Sequence, residues 1–417
     1  MTKNSKLPTD LAPLADALEG ARTSLGFDAF VLSEIESVLL TVFRFRQGLA
    51  DSERRSVLSK GIGRAAALGA ITPKSLEAAV RREEQTLLAM PARNFTLASH
   101  LSFTLSSPLK PTHFMGGVTL SPHLPDRYLK ARKKIQGLLP EDVSVIRGYT
   151  GVRTRVKARS VGHAFDLAIN KIDLLRGVWN FAYLRPTVWA STSDPTAPIA
   201  RLRPSRIYTL HNPTGKLATT LYWFNPDFRE DRFTSLKDGD WRTMQRFLRS
   251  VQQRLPKISY RGELERAFVH YARALDSTDM EAAFLKLWSV LELLGGLGGE
   301  RYETLMERAA FLFAPDAVTR YVLAHLRHQR NAIAHLGNPQ SEMRPLVYQL
   351  KRFVEQMLAF HIGMGRNFDS LEEGGRFMDL SNPPTELHRS IALMERALRF
   401  RHVRKISSRR QTQRRSG

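Results

Sequence analysis

Residues 327–338 read RHQRNAIAHLGN, a stretch in which Arg327, His328, Arg330, Asn331 and His335 crowd the predicted end of a helix. These residue types suit proton transfer around a phosphate. An imidazole titrates near neutrality, so His335 can take or give a proton at physiological pH. A guanidinium is permanently charged and grips a phosphate through two N–H groups at once, the natural role for Arg330. Such groups suit RNA cleavage without a metal, in which the ribose 2′-hydroxyl attacks the adjacent phosphorus. One group removes the 2′ proton, a second protonates the departing 5′ oxygen, and a cation steadies the charged phosphorane. Asn331 could hydrogen-bond the His or the phosphate, or simply face the same cleft.

Spacing constrains this chemistry. At ~100° per residue Asn331 and His335 share a helix face, whereas Arg330 and His335 lie about 140° apart. They converge if the helix bends or tightens at its end. A second copy with its motif apposed would also bring them together and supply both an acid and a base. The competing reading is an ordinary helix C-terminus, where the helix dipole favours cations and Gly337-Asn338 is the stop signal. Arg followed by His at similar spacing recurs at Arg206/His211 and Arg320/His325, so the string alone decides nothing. Only 330–335 closes a long predicted helix inside an apolar bundle.

Other chemistries lack their signatures. Cysteine is absent, which removes disulfides, thiol catalysis, iron–sulfur clusters and cysteine zinc sites. GGLGGE (295–300) follows a helix and has no Gly-Lys-Ser/Thr, so a phosphate loop is disfavoured. No HExxH or GxSxG occurs. His325 and His328 stand one helical turn apart but lack a nearby carboxylate, so solvated histidines are the better reading and no metal or other cofactor is expected. The chain carries 63 Lys and Arg against 40 Asp and Glu, a net charge of +23. A field of that sign attracts polyanions, with nucleic acid ahead of an anionic membrane. No apolar run approaches the ~20 residues of a membrane span, and the N-terminus lacks a signal peptide's apolar core. The expectation is a soluble, cytoplasmic protein with no membrane partner.

The elements that must position the motif divide into an α+β chain. Residues 1–93 read as helical: FDAFVLSEIESVLLTVFRF has helical spacing, and Thr72-Pro73 is a helix start. From 94 to 235 the pattern is mixed α+β, with NFTLASHLSFTL, GGVTLS, VSVIRG and GVRTRVKA as strands. A helix with Phe165, Ile169, Ile172 and Trp179 on one stripe follows, then a hairpin turning at Asn212-Pro213-Thr214-Gly215. Tyr222, Trp223 and Phe224 could stack on bases, although alternation between core and surface explains them better. Residues 236–380 predict an all-α bundle with helices at 239–254, 261–275, 279–294, 301–313, 317–335 and 341–362. Phe284, Leu287, Trp288, Leu291 and Leu294 form one stripe, and Val318, Val322, Leu326 and Ile333 another. Residues 381–417 predict a helix at 384–404 and then a solvated basic tail.

Within the bundle, FLKLWSVLELLGG with its embedded Glu292, then RYETLMERAAFLF, then YVLAHLRHQRNAIAHLGN occur in an order that resembles the HEPN domain. The likeness is to the ApeA-like branch of that superfamily and covers about residues 261–362. It identifies Arg330, Asn331 and His335 with the family's Arg–polar–x–x–x–His signature. The resemblance implies a metal-independent endoribonuclease, active as a toxin or in anti-phage defence. It also implies a homodimer that faces two signatures across one cleft, and some members have lost activity and serve as binding domains. Glu292 is then a supporting residue, either a buried ion-pair partner for Arg330, since a free carboxylate beside a phosphate would repel it, or an ordinary residue beside the apolar stripe. Arg308, Arg327, His328, Arg404, Lys405, Arg409 and Arg410 are candidates for lining an RNA path, with solvated surface as the alternative for each. The remaining expectations are products ending in 2′,3′-cyclic phosphate and 5′-hydroxyl, and an N-terminal region that senses a trigger or restrains the nuclease. An antitoxin partner would serve the same end. A non-catalytic nucleic-acid-binding or sensor protein, whose bundle only dimerises, fits the charge equally well.

Overall fold

A computed structural model describes residues 10–23, 26–106, 112–135, 149–187, 194, 196–229, 233–297, 302–313, 317–336, 342–380 and 383–413. For a few of these, His335 and 402–413 among them, only the backbone is described. The chain is mixed α+β and divides into two compact units, 1–173 with 202–238, and 174–201 with 239–417. No helix of the described residues is long and apolar enough to cross a membrane.

The first unit begins with helices α1 (Ala12–Gly20), α2 (Ala29–Val42), α3 (Asp51–Ala67) and α4 (Pro73–Ala89), with a small antiparallel pair, β1 (Arg22–Thr23) and β2 (Gly26–Phe27), between the first two. Leu18, Leu39, Leu58, Ile62, Leu76 and Val80 form their shared core. Thr72 caps α4 by accepting from the Ser75 amide, with Pro73 in the first turn, where its missing N–H costs nothing.

Next come β3 (Arg93–Leu101), β4 (Phe103–Leu105), β5 (Thr112–His113), β6 (Val118–Ser121), α5 (Asp126–Lys133), β7 (Thr150–Ala158), α6 (Val161–Leu184), β8 (Ile207–His211), β9 (Leu217–Phe224) and β10 (Thr234–Leu236). Six strands pair in the order β5-β6-β7-β3-β8-β9, each pair antiparallel. The expected strand VSVIRG (143–148) lies outside the described residues. Gly215 closes the β8–β9 turn at a φ of 92°, open to glycine at no steric cost, while the Asn212 side chain accepts from the Thr214 and Lys216 amides.

Alternation divides the aromatic run. Trp223 stacks on Phe165 of α6 at 4.2 Å between ring centres, Tyr222 points to the opposite face, and Phe224 is half exposed under Arg206. Two expected domains, 1–93 and 94–235, fall largely in one unit. Buried Glu53 of α3 accepts from the Ser160 hydroxyl at the start of α6 (3.0 Å), tying the helical layer to the sheet region.

The second unit takes the C-terminal half of α6, a departure from the expected boundary at 235. Its helices are α7 (Asp238–Arg254), α8 (Arg261–Asp276), α9 (Met280–Leu294), α10 (Tyr302–Phe311), α11 (Ala317–Leu336), α12 (Met343–Met364), α13 (Leu371–Met378) and α14 (Pro384–Gln413). The reason for the departure is buried polar bonding. Arg176 of α6 forms a two-pronged pair with Asp276 of α8 (3.0 and 2.9 Å). Lys351 of α12 donates to the Leu184 and Thr187 carbonyls that end α6, and to Glu355, which also accepts from Tyr271.

Phe284, Leu287, Trp288, Leu291 and Leu294 of α9 are all buried as expected. On α11 Leu326 and Ile333 are buried as expected, but Val318 is 62% exposed, and Leu323, Gln329 and Ala332 turn inward as well. Helix α13 was not foreseen, because eight residues hold too little periodicity to stand out. The basic tail is also revised: α14 continues as helix to Gln413, past the predicted end at 404.

Candidate functional site

The motif sits where α11 packs on α9. Asp279 caps α9 by accepting from the Glu281 and Ala282 amides, and the wide apolar stripe then fixes the helix's rotation. That rotation leaves Glu292 on the rim, 29% exposed at the side chain, where it accepts from Trp288 Nε1 at 2.8 Å. Arg330 approaches the same carboxylate oxygen at 3.9 Å and donates to Asn331 Oδ1 at 3.3 Å. With both partners partly in water, the ion pair contributes little stability, within about 1 kcal/mol.

The backbone of α11 carries His335 one turn beyond Asn331 and on the same face; its side chain lies outside the described residues. The helix stays α-helical through Leu336, so no tightened last turn closes the gap of about 140° between Arg330 and His335.

The phosphate-path candidates separate into three situations. Arg308 is not on a surface at all: it is 1% exposed. Its Nε and Nη2 donate to Asp379 at 2.8 and 2.6 Å, and its Nη1 donates to the Gly295 carbonyl at 2.7 Å. It ties α10 to the end of α9 and the end of α13, so the assignment to an RNA path is withdrawn. Arg327 pairs with Glu303 of α10 at 2.7 Å, and His328 is exposed on α11. Arg404, Lys405, Arg409 and Arg410 follow one another along the α14 backbone, their side chains outside the described residues. His325 is exposed as well, and the described residues contain no group of three His, Asp or Glu placed to hold a metal.

Beside Glu292 lies a cleft of about 410 Å³ whose walls include Tyr260, Glu263, Arg266, Asp369 and Glu372. Four carboxylates against one guanidinium would repel a phosphate, so the cleft suits amino groups or cations rather than a nucleic-acid backbone. Behind it Tyr260 donates to Nδ1 of buried His361 (3.0 Å), whose Nε2–H donates to the Leu294 carbonyl (2.9 Å). Burial lowers the His361 pKa to about 4, so the imidazole is neutral at pH 7 and acts as a fixed hydrogen-bond bridge. Sequence reading missed this bridge, because nothing local distinguishes His361 within an amphipathic helix.

No family model, curated protein or solved structure matches the chain.

Proposed function

We propose that the C-terminal unit is a metal-independent endoribonuclease of HEPN type. One observation supports this above the others: Arg330 of α11 approaches Glu292 of α9 and donates to its neighbour Asn331, one turn before His335 on the same helix. On this reading Glu292 holds the guanidinium until a phosphate competes for it, and Trp288 holds Glu292. His335 moves the proton, as general base to the 2′-hydroxyl or general acid to the 5′ oxygen, while Arg330 steadies the phosphorane. Because Arg330 and His335 of one chain diverge, a homodimer with apposed motifs is the arrangement that completes an acid–base pair. Products end in 2′,3′-cyclic phosphate and 5′-hydroxyl. A toxin or anti-phage role follows, with the N-terminal unit or an antitoxin restraining the activity.

The experiment compares wild type with His335→Ala on a labelled structured RNA and a tRNA pool in excess EDTA, reading the end chemistry of the products. Cleavage to cyclic-phosphate ends, lost in a variant that still folds, supports the reading. Equal behaviour of the two overturns it. A second reading, a nucleic-acid-binding or sensor module, is favoured by α11 staying helical through Leu336, which leaves Arg330 and His335 on different faces. RNA bound by both proteins without new ends would support it.

A further inference from the structure

The sheet of the first unit has two unlike faces. Phe95, Leu97, Val152, Val156 and Leu210 lie on the side toward Trp223, which stacks on α6. On the opposite face Arg153, Arg155 and Lys157 of β7 stand across from Ala98, Thr96 and Asn94 of β3, with Thr209 and His211 of β8 on the far side. Strands β3 and β6 to β9 contain no Asp or Glu at all.

Helix α5 lies against this face through Leu124 and Tyr128, which pack on Ala98. It delivers Arg132, only 6% exposed. The Arg132 Nε donates to Thr209 Oγ1 at 2.9 Å and Nη2 donates to the Ala98 carbonyl at 2.5 Å. Among the described residues no carboxylate pairs with it, and its hydrogen bonds run from Nε and Nη2.

The bonding continues away from the guanidinium. A carbonyl oxygen can only accept, so His211 Nδ1–H donates to the Gly215 carbonyl (2.9 Å), and His211 Nε2 accepts from the Thr209 hydroxyl (2.9 Å). This relay leaves Thr209 Oγ1 a lone pair aimed at Arg132 and so fixes the plane of the guanidinium. Burial lowers Arg132 to about 10, which still leaves it charged at neutral pH, and lowers His211 to about 4 and His100 to about 3, which leaves both neutral.

A buried cation with no counter-charge is costly, and buried charges are normally paired. Here no carboxylate of the described residues pairs with Arg132, while two further guanidiniums, Arg153 and Arg155, stand on the same face of the sheet. We infer that this face binds a phosphoryl group, with Arg132 as the buried, pre-oriented ligand and Arg153 and Arg155 as outer ligands. A dianion matches the several guanidiniums and the acid-free strands β3 and β6 to β9, and Arg binds phosphate oxygens in a planar fork. The site belongs to the first unit and does not depend on the ribonuclease reading. The phosphoryl group could belong to a soluble metabolite or to a polynucleotide backbone.

Titration calorimetry of the full chain with inorganic phosphate, adenosine 5′-monophosphate and a short uridine RNA tests this. Saturable binding of at least one probe is expected. It should weaken about tenfold or more in Arg132→Met and in Arg153→Ala/Arg155→Ala, the scale of a lost charge-assisted contact. The charge-matched Arg242→Ala/Arg249→Ala, exposed on α7, should bind as wild type does. Binding of phosphate or the nucleotide assigns a soluble ligand; binding of RNA alone assigns the backbone. Because Arg132 is buried, the double variant at half-buried Arg153 and exposed Arg155 decides the matter if Arg132→Met does not fold. No saturable binding of any probe, or binding that survives the sheet substitutions, overturns the inference.

Discussion

Arginines in this protein share a charge but not a role, and burial separates them. Arg308 has its guanidinium sealed against Asp379 and two backbone carbonyls, whereas Arg327 holds Glu303 in a pair partly open to water. Replacing Arg308 by Met strands buried carbonyls and a half-exposed carboxylate, and should cost about 3 kcal/mol. Arg327→Ala should change stability by less than about 1 kcal/mol. Urea unfolding of the two variants measures the contrast, and equal effects would contradict it. Histidine gives a pH prediction. Unfolded, His361 titrates at 6.5; folded, burial lowers it to about 4. Between those values the unfolded chain binds more protons, so this residue's contribution is complete above pH 6.5 and is lost as pH falls toward 4. The slope is ~1.4 kcal/mol per pH unit. Unfolding midpoints of His361→Gln between pH 7 and pH 4.5 should depend less steeply on pH than those of wild type.

Among the elements, the C-terminal half of α6 packs closely on α8. A Cβ at Gly177 would meet the carbonyl oxygen of Phe268 on α8, so the two helices approach there because the side chain is only a hydrogen. Gly177→Ala should therefore destabilise by about 1–3 kcal/mol through overpacking. Gly63, within α3 and with nothing near its would-be Cβ, gives the opposite case. Gly63→Ala should stabilise by about 0.5–1 kcal/mol through helix propensity and a smaller unfolded-state entropy. Thermal melts of both variants decide whether packing or propensity governs each site. The helices of the second unit were legible because their apolar stripes are wide, as on α9. Those on α11 were misplaced by one face at Val318, because a β-branched apolar residue looks the same in sequence whether it faces a neighbour or water.

For the molecule as a whole, the division inside α6 matters more than any loop. A fragment cut at the sequence-predicted boundary would lose Arg176, Trp179 and Phe181, and with them the α6 contacts of Asp276, Lys351 and Phe268. Residues 239–417 expressed alone should bind a hydrophobic dye and melt without cooperativity, whereas 174–417 should melt as one transition. Equivalent melting of the two fragments would show that α6 is dispensable to the bundle. The net charge of +23 belongs to this scale too: it attracts polyanions to the chain without selecting a site.

Local chemistry written in the sequence determined a good deal. The helix periods, the Thr72-Pro73 start, the Asn212–Gly215 turn and the alternation in GVRTRVKA each depend on neighbours a few residues apart. The Glu292–Arg330 approach was anticipated from a motif resemblance and lies at 3.9 Å. What only the tertiary structure decided is which charges are buried and against what. Arg308 was expected to line an RNA path, and nothing in the sequence singled out Arg132. One is closed by Asp379, far along the chain, while the other is seated on Thr209 and the Ala98 carbonyl with no carboxylate beside it. Burial and pairing are set by residues brought together from distant positions, and no window of sequence contains both partners.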